Sequence, residues 1–370
     1  MRLVGDFRVS ALELFLDVVF VLTVAQLSDH LHEDLRPGEI ARAALILALV
    51  WWMYAGYAWL TNAIPPNSTG SRTLLLAGMA GFLLMAVAVP EAFGEDGRLF
   101  GVGYSVVAVV HAALFRVEAM RTVTLLNLAA AVPVLAGGFL SGPWRPLCWL
   151  AALPLHLLAG FSRRARPHSI APGHFAERHG VIVIVALGES VVAVGLGLTG
   201  THPGPGEIGA ALLGLAIAYY LWWCYFSGSD ERVRRELSDA APGRQARLAL
   251  TGYGFAHLPL LFGIVLVAAG LHRAVGHPFE PLPRADAGAL AVGAALFLAG
   301  HGVLLRVFRL PGAPYRFGAA VLVTATAALG PLTAIAQLVA LPVVMAAMAM
   351  AEDLPRARRA GHTGIDALGG

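Results

Sequence analysis

The chain has 370 residues, of which 58% are hydrophobic and only 13% charged, with a mean hydropathy of +0.71. That excludes a water-soluble globule, whose surface needs close to twice that share of charge. All 26 basic residues are arginine, and the net charge of +3 comes from arginines scattered over short loops, which is not the footprint of a nucleic-acid surface.

Apolar runs predict helices near 10–31, 39–61, 72–92, 99–117, 120–140, 144–161, 177–199, 205–228, 245–271, 285–308, 316–330 and 332–351. Most are long enough to cross a hydrocarbon core about 30 Å thick. The short alternating segments of a transmembrane barrel are missing. The expected fold is an all-α polytopic membrane protein of about 12 spans, arranged as two parallel six-helix repeats. The first repeat is expected over 1–161, a cytoplasmic linker over 162–176, the second repeat over 177–352 and a disordered cytoplasmic tail over 353–370. No cleavable leader is expected, because the first apolar helix already carries Glu13 and Asp17.

On the first helix, at 100° per residue, Glu13, Asp17, Phe20, Val24 and Ser28 fall within about 60° of one another. The stripe is acidic at its start and apolar further in. Two carboxylates one turn apart repel unless a cation or a shared proton intervenes. They are either a functional pair or the partners of arginines at the membrane boundary. The second helix carries Trp51-Trp52-Met53-Tyr54, expected near the cytoplasmic interface as part of an aromatic belt. The fourth carries His111 one turn before Arg116, and the sixth Ala152-Leu153-Pro154.

The second half repeats these marks in the same order. Glu177, Trp222-Trp223-Cys224-Tyr225, His301 with Arg306, and Ala340-Leu341-Pro342 follow their counterparts at offsets of 164, 171, 190 and 188 residues. Polar marks recurring in register inside apolar helices point to a duplication. Arg116 and Arg306, with Glu177 and Arg178, read as structural or snorkelling groups near helix ends. His111 and His301 lie about 7.5 Å deeper, where an imidazole can relay protons or pair with the acidic stripe, or serve only as a satisfied core residue. Glu189, followed by Ser190, falls 12 residues after Glu177, roughly 18 Å along the axis and so near the bilayer midplane. Gly188 before it reads as a point of close backbone approach. A carboxylate at that depth needs a cation, a proton or a buried donor. The candidate ion- or substrate-binding residues are therefore Glu13, Asp17, Glu189, Ser190, His111 and His301.

Twenty arginines fall at the termini and the loops after even-numbered helices, and six on the other side. The positive-inside rule then puts both termini in the cytoplasm of a bacterial inner membrane. Six-helix pieces enter and leave on one side, so the repeats are expected to be parallel. Cys148 and Cys224 read as buried free thiols. Neither a metal-binding His spacing, a phosphate-binding loop nor a hydrolase elbow is present, so no metal, cofactor or catalytic residue is expected.

Glu13-Leu-Phe-Leu-Asp17-Val-Val-Phe20 with Gln26-Leu-Ser28, and Glu177-Arg-x-Gly180 with Leu187-Gly-Glu-Ser190, resemble the two signatures of the bacterial low temperature requirement A (LtrA) family. The resemblance covers nearly the whole chain and implies a polytopic inner-membrane protein, with little biochemistry. A weaker likeness, to endolysosomal potassium channels of two six-helix repeats, rests on Phe15-Leu16-Asp17. There Leu replaces an expected Ser, Ala11 stands where an Arg is expected, and the seventh helix lacks the motif.

The leading expectation is a secondary transporter or channel-like permeation protein for a cation or proton-coupled small solute. Its path would run between the repeats or within a homodimer, and its partners would be the bilayer and that solute, not nucleic acid. The alternatives are a membrane enzyme or cofactor-binding protein acting on lipid or quinone, and a stress-linked membrane scaffold.

Overall fold

The structure is a computed structural model that describes residues 9–63, 66–114, 121–161, 170–199 and 202–366, with side chains described as far as Asp353. Every element among them is helical: α1 (Ala11–Glu33), α2 (Pro37–Ala63), α3 (Thr69–Ala88), α4 (Gly97–Leu114), α5 (Arg121–Gly138), α6 (Trp144–Leu150), α7 (Ala152–Phe161), α8 (Pro172–Gly197), α9 (Pro205–Phe226), α10 (Ser229–Asp239), α11 (Pro242–Leu248), a π-helical segment Ala249–Phe255, α12 (His257–Gly276), α13 (Arg284–Val307), α14 (Ala313–Ala325) and α15 (Ala334–Asp366).

Ten helical segments among the described residues are long and apolar enough to cross a membrane. Two of the twelve expected spans fall short. The run 144–161 breaks into α6 and α7 at Ala151. Pro154 has no N–H to return to the Leu150 carbonyl, which removes the bond that would carry the helix through that point. The run 316–330 becomes the 13-residue α14, closed by a 3-10 turn over Thr326–Ala328, only about 20 Å long. The linker is also shorter than expected, because α8 begins at Pro172. α15 continues as helix from 353 to Asp366.

Within the first half, α1 packs on α2 and α3, α3 on α4, α4 on α5, and α2 on α4. Within the second, α8 packs on α9 and α12, α12 on α13, α13 on α14, and α9 on α13. The halves meet where α1 and α2 lie against α8 and α12. α12 is the most deeply enclosed element, with every residue from Gly263 to Leu271 buried.

Several helix pairs approach through glycine, α3–α4 and α12–α13 among them. A Cβ on Gly103 would stand 2.8 Å from the Gly81 carbonyl oxygen, and one on Gly81 would stand 2.9 Å from that of Gly103, which brings α3 against α4. The α12–α13 pair does the same, with a Cβ on Gly293 standing 2.7 Å from the Gly263 oxygen. Association in a bilayer lacks a hydrophobic drive and depends on such close van der Waals packing. His111 and His301 each lie eight residues beyond the glycine of their own pair, Gly103 and Gly293.

Gly293→Val therefore forces α12 and α13 apart. It should lower the thermal unfolding temperature of the detergent-purified protein by an amount corresponding to about 1–3 kcal/mol. Gly288→Ala, where a Cβ meets nothing within 4 Å, should leave it unchanged. Equal unfolding temperatures for the two variants would contradict this packing.

Candidate functional site

The site is built at the seam of the halves, beginning with the cap of α1. Ser10 and Glu13 form a capping box in which the Glu13 amide donates to Ser10 Oγ at 3.3 Å. The Ser10 amide and hydroxyl donate back to Glu13 Oε2 at 2.9 and 2.8 Å. This local pattern starts the helix and fixes the first carboxylate. One turn on, Asp17 shares its face, as the stripe requires.

The partner of both acids comes from the other half. Arg178 of α8 donates through Nη1 to Glu13 Oε1 and through Nη2 to Asp17 Oδ1, each at 3.3 Å, and its Nη1 also bonds Thr61 of α2. Its guanidinium lies over the Tyr54 ring at 5.5 Å, while the Tyr54 hydroxyl donates to Asp17 Oδ1 at 2.7 Å. Relative exposures of 3% for Glu13, 0% for Asp17 and 1% for Arg178 show that all three are withdrawn from solvent and lipid alike. Asp17 Oδ2 and Arg178 Nε have no hydrogen-bond partner among the described residues.

His174 completes the cluster, and its surroundings fix its proton. Asn62 of α2 ties down the start of α8 by donating from Nδ2 to the Ala171 carbonyl at 3.1 Å and accepting from the Ala171 amide at 3.0 Å. The same Nδ2 meets His174 Nδ1 at 3.1 Å. An amide nitrogen only donates, so His174 Nδ1 is the acceptor, and Nε2 carries the proton it gives to Glu13 Oε2 at 3.2 Å. Two carboxylates thus face one guanidinium in this buried cluster, with His174 as a further donor to Glu13.

Beyond Tyr54 the seam is aromatic. Phe20 and Trp51 pack on Tyr54 with ring centroids 4.6 and 5.4 Å away, and Trp51 Nε1 donates across the seam to the Gly254 carbonyl at 2.7 Å. Gly254 belongs to the π-helical segment, whose wider turn changes which carbonyls the helix itself uses. Gly252 in that segment accepts from His257 Nδ1 at 3.0 Å, which leaves His257 Nε2 to accept from the Tyr225 hydroxyl at 2.9 Å. His179 packs edge-on between Trp51 and His257, at 6.0 and 5.4 Å.

The other sequence-predicted residues are not brought into this cluster. His111 is buried against Tyr57, its ring 5.5 Å away, and bonds the Gly56 backbone. His301 accepts from Arg316 Nε at 3.2 Å, beside a second buried ion pair between Arg316 and Glu352 at 2.7 Å. Glu189 lies eight residues before the end of α8, about 7 Å past the helix centre, where it feels the Asp29 carboxylate of α1. α8 starts five residues earlier than the apolar run alone indicates. Ser190 is fully buried and its hydroxyl has no hydrogen-bond partner among the described residues. A Cβ on Gly188 would meet nothing within 4 Å, so that glycine does not mark a close approach.

Glu177 and Arg306 are exposed, as groups at helix ends would be, and Arg116 lies outside the described residues. Arg178, read as a structural or snorkelling group, is buried and pairs with both acids. Trp51, expected in an aromatic belt, is instead 2% exposed at the middle of α2, while Trp222 is 41% exposed. Sequence reasoning missed Thr61, His174 and Arg316, and gave Tyr54 only a place in an aromatic belt. For His174 and Arg178 the available signal was their spacing of four, which stacks them on one helix face.

The sequence model described as bacterial low temperature requirement A protein (LtrA) matches residues 8–350, and the chain belongs to that family. It is also 30% identical, over 316 residues, to an uncharacterised protein of Rhizobium meliloti (strain 1021), an alignment covering 80% of this chain and 76% of that protein.

Removing the cation from this cluster should be far costlier than removing both charges of one pair. Arg178→Gln leaves two buried carboxylates unpaired and should destabilise the detergent-purified protein by about 3–5 kcal/mol. Combining it with Asp17→Asn should recover more than about 1 kcal/mol of that loss. Glu231→Gln, which removes only exposed pairs with Arg234 and Arg235, serves as the unchanged control. An Arg178→Gln protein as stable as this control would show that the cluster does not hold the halves together.

Proposed function

We propose, taking membership of the LtrA family as the premise, that the chain is a permeation protein for a cation or proton-coupled small solute. The Glu13–Asp17–Arg178 cluster is its ion-coupling site. The observation that carries this reading is the count of buried charges. Two buried carboxylates face one guanidinium, and Asp17 Oδ2 has no hydrogen-bond partner among the described residues. Burying charge inside membrane helices is costly, at least ~2.5 kcal/mol for an uncompensated group, and a purely structural seam is served as well by apolar side chains. A cluster that needs one more cation or proton has a use for the deficit: it binds and releases that charge as the halves move. Such sites in transporters lie where structural repeats meet.

The halves themselves are proposed to be parallel six-helix repeats, with α6 and α7 together as one broken crossing and α14 as a short one, and with the arginine-rich loops and both termini in the cytoplasm. Three observations support this. The neighbour relations of α1 to α5 match those of α8, α9 and α12 to α14. Both halves place a glycine pair between corresponding helices, and both place a buried histidine eight residues later. Glu189 and Asp29, toward the other end of the same seam, are proposed to lie along the ion's route.

The test is flux in proteoliposomes made with the full chain, using a panel of potassium, sodium and proton gradients. Asp17→Asn keeps an acceptor for Tyr54 while removing the charge. It should cut flux at least tenfold while eluting as a monodisperse peak like the native protein. Native protein inert to the whole panel, or an Asp17→Asn variant as active as native, would defeat the proposal.

A further inference from the structure

At the far end of α1 and α2 from the charged cluster, a half-open cavity of about 280 Å³ is enclosed by the end of α1, the start of α2 and the turn after α3. Its volume is just below the ~300–1,000 Å³ typical of small-molecule sites, so its occupant is small. The walls carry both signs of charge over an apolar floor. On one side Arg36 pairs with Asp34 through Nε and Nη2, and the guanidinium holds the Asp34 carboxyl below its usual range. On the other, Glu39 accepts from Arg42 Nη1 at 2.6 Å and meets His30 Nε2 at 3.2 Å.

Two groups are left over. Arg42 lies with its guanidinium over the Phe93 ring at 5.3 Å, which fixes the plane of the fork. Only Nη1 is committed to Glu39, so the Nε–Nη2 edge makes no hydrogen bond to another described residue. Glu91, in the turn after α3, is exposed and makes no ion pair among the described residues. The cavity therefore offers one planar two-donor edge, suited to a carboxylate, and one uncommitted carboxylate, suited to an ammonium. Leu27, Ile46 and Val89 supply apolar wall between them. A simple anion would meet the surplus negative charge of Glu91, and a simple cation would leave the Arg42 edge unused.

We infer that this cavity binds a small zwitterion of amino-acid type, its carboxylate on Arg42 and its ammonium on Glu91. As the entry site for a permeating solute it rests on the function proposed above, whereas binding itself does not. Binding is measured by calorimetry on the detergent-purified full chain with L-leucine, L-alanine and glycine betaine. Two charge-deleted relatives of leucine, 3-methylbutylamine and 4-methylpentanoate, are run beside them.

At least one zwitterion should bind. Glu91→Gln and Arg42→Gln should each weaken it at least tenfold, and neither charge-deleted relative should bind comparably. Asp17→Asn should bind as native protein does, so a loss of flux without a loss of binding separates the two proposals. Because Glu91 is exposed, Glu91→Gln is read even if Arg42→Gln fails to fold. Failure of all three zwitterions to bind would overturn the inference. So would the amine or the acid alone binding as tightly as leucine, or binding indifferent to Glu91→Gln.

Discussion

The structure depends on one guanidinium. Arg178 is the point at which the second half reaches into the first, and both carboxylates of the acidic stripe on α1 turn toward it. The cost of withdrawing an arginine from water is recovered only if its donors are met by negative groups in good geometry. Here Glu13, Asp17 and Thr61 occupy two of its nitrogens, and the Tyr54 face covers the plane. The start of α8 cannot shift without breaking these bonds, because Asn62 clamps the Ala171 backbone about two turns before Arg178. The cluster thus sets how the halves meet, and its charge balance gives the proposed coupling its physical basis.

Around that point the seam is held by aromatic packing and by an irregular helix. The π-helical segment before α12 presents Gly252 and Gly254 carbonyls to His257 and Trp51, so a departure from regular α-helix is stabilised by side chains from both halves. Such segments recur at functional positions because they place polar backbone atoms where a regular helix hides them. The tight glycine contacts of α3–α4 and α12–α13 lie within the halves. That contrast suits two rigid bodies joined along a polar seam, which is the arrangement the proposed function requires.

Much of this was legible in the sequence. Hydropathy gave the helices, and the spacing of Glu13 and Asp17 put them on one face. Arg178 reads as a structural or snorkelling group, and arginine partners are one reading of the acidic stripe, but sequence alone could not say which arginine. The apolar run begins near 177, yet α8 begins at Pro172 and Arg178 sits in its second turn. Tyr54 stood out only as part of its aromatic cluster and Thr61 not at all, because single hydroxyls inside an apolar helix are common and become informative only opposite a charge. The π-helical segment has no pattern that hydropathy can detect. The break at Ala151 was foreshadowed by Pro154, but an uninterrupted apolar run masked it.

The exchangeable positive charge proposed for the cluster is read most directly by infrared difference spectroscopy on the reconstituted full chain. Spectra recorded between acidic and alkaline buffer should contain a carboxyl band that disappears in Asp17→Asn and shifts when the permeant ion is added. A spectrum in which no band depends on Asp17, or in which that band ignores both pH and ion, would contradict the account.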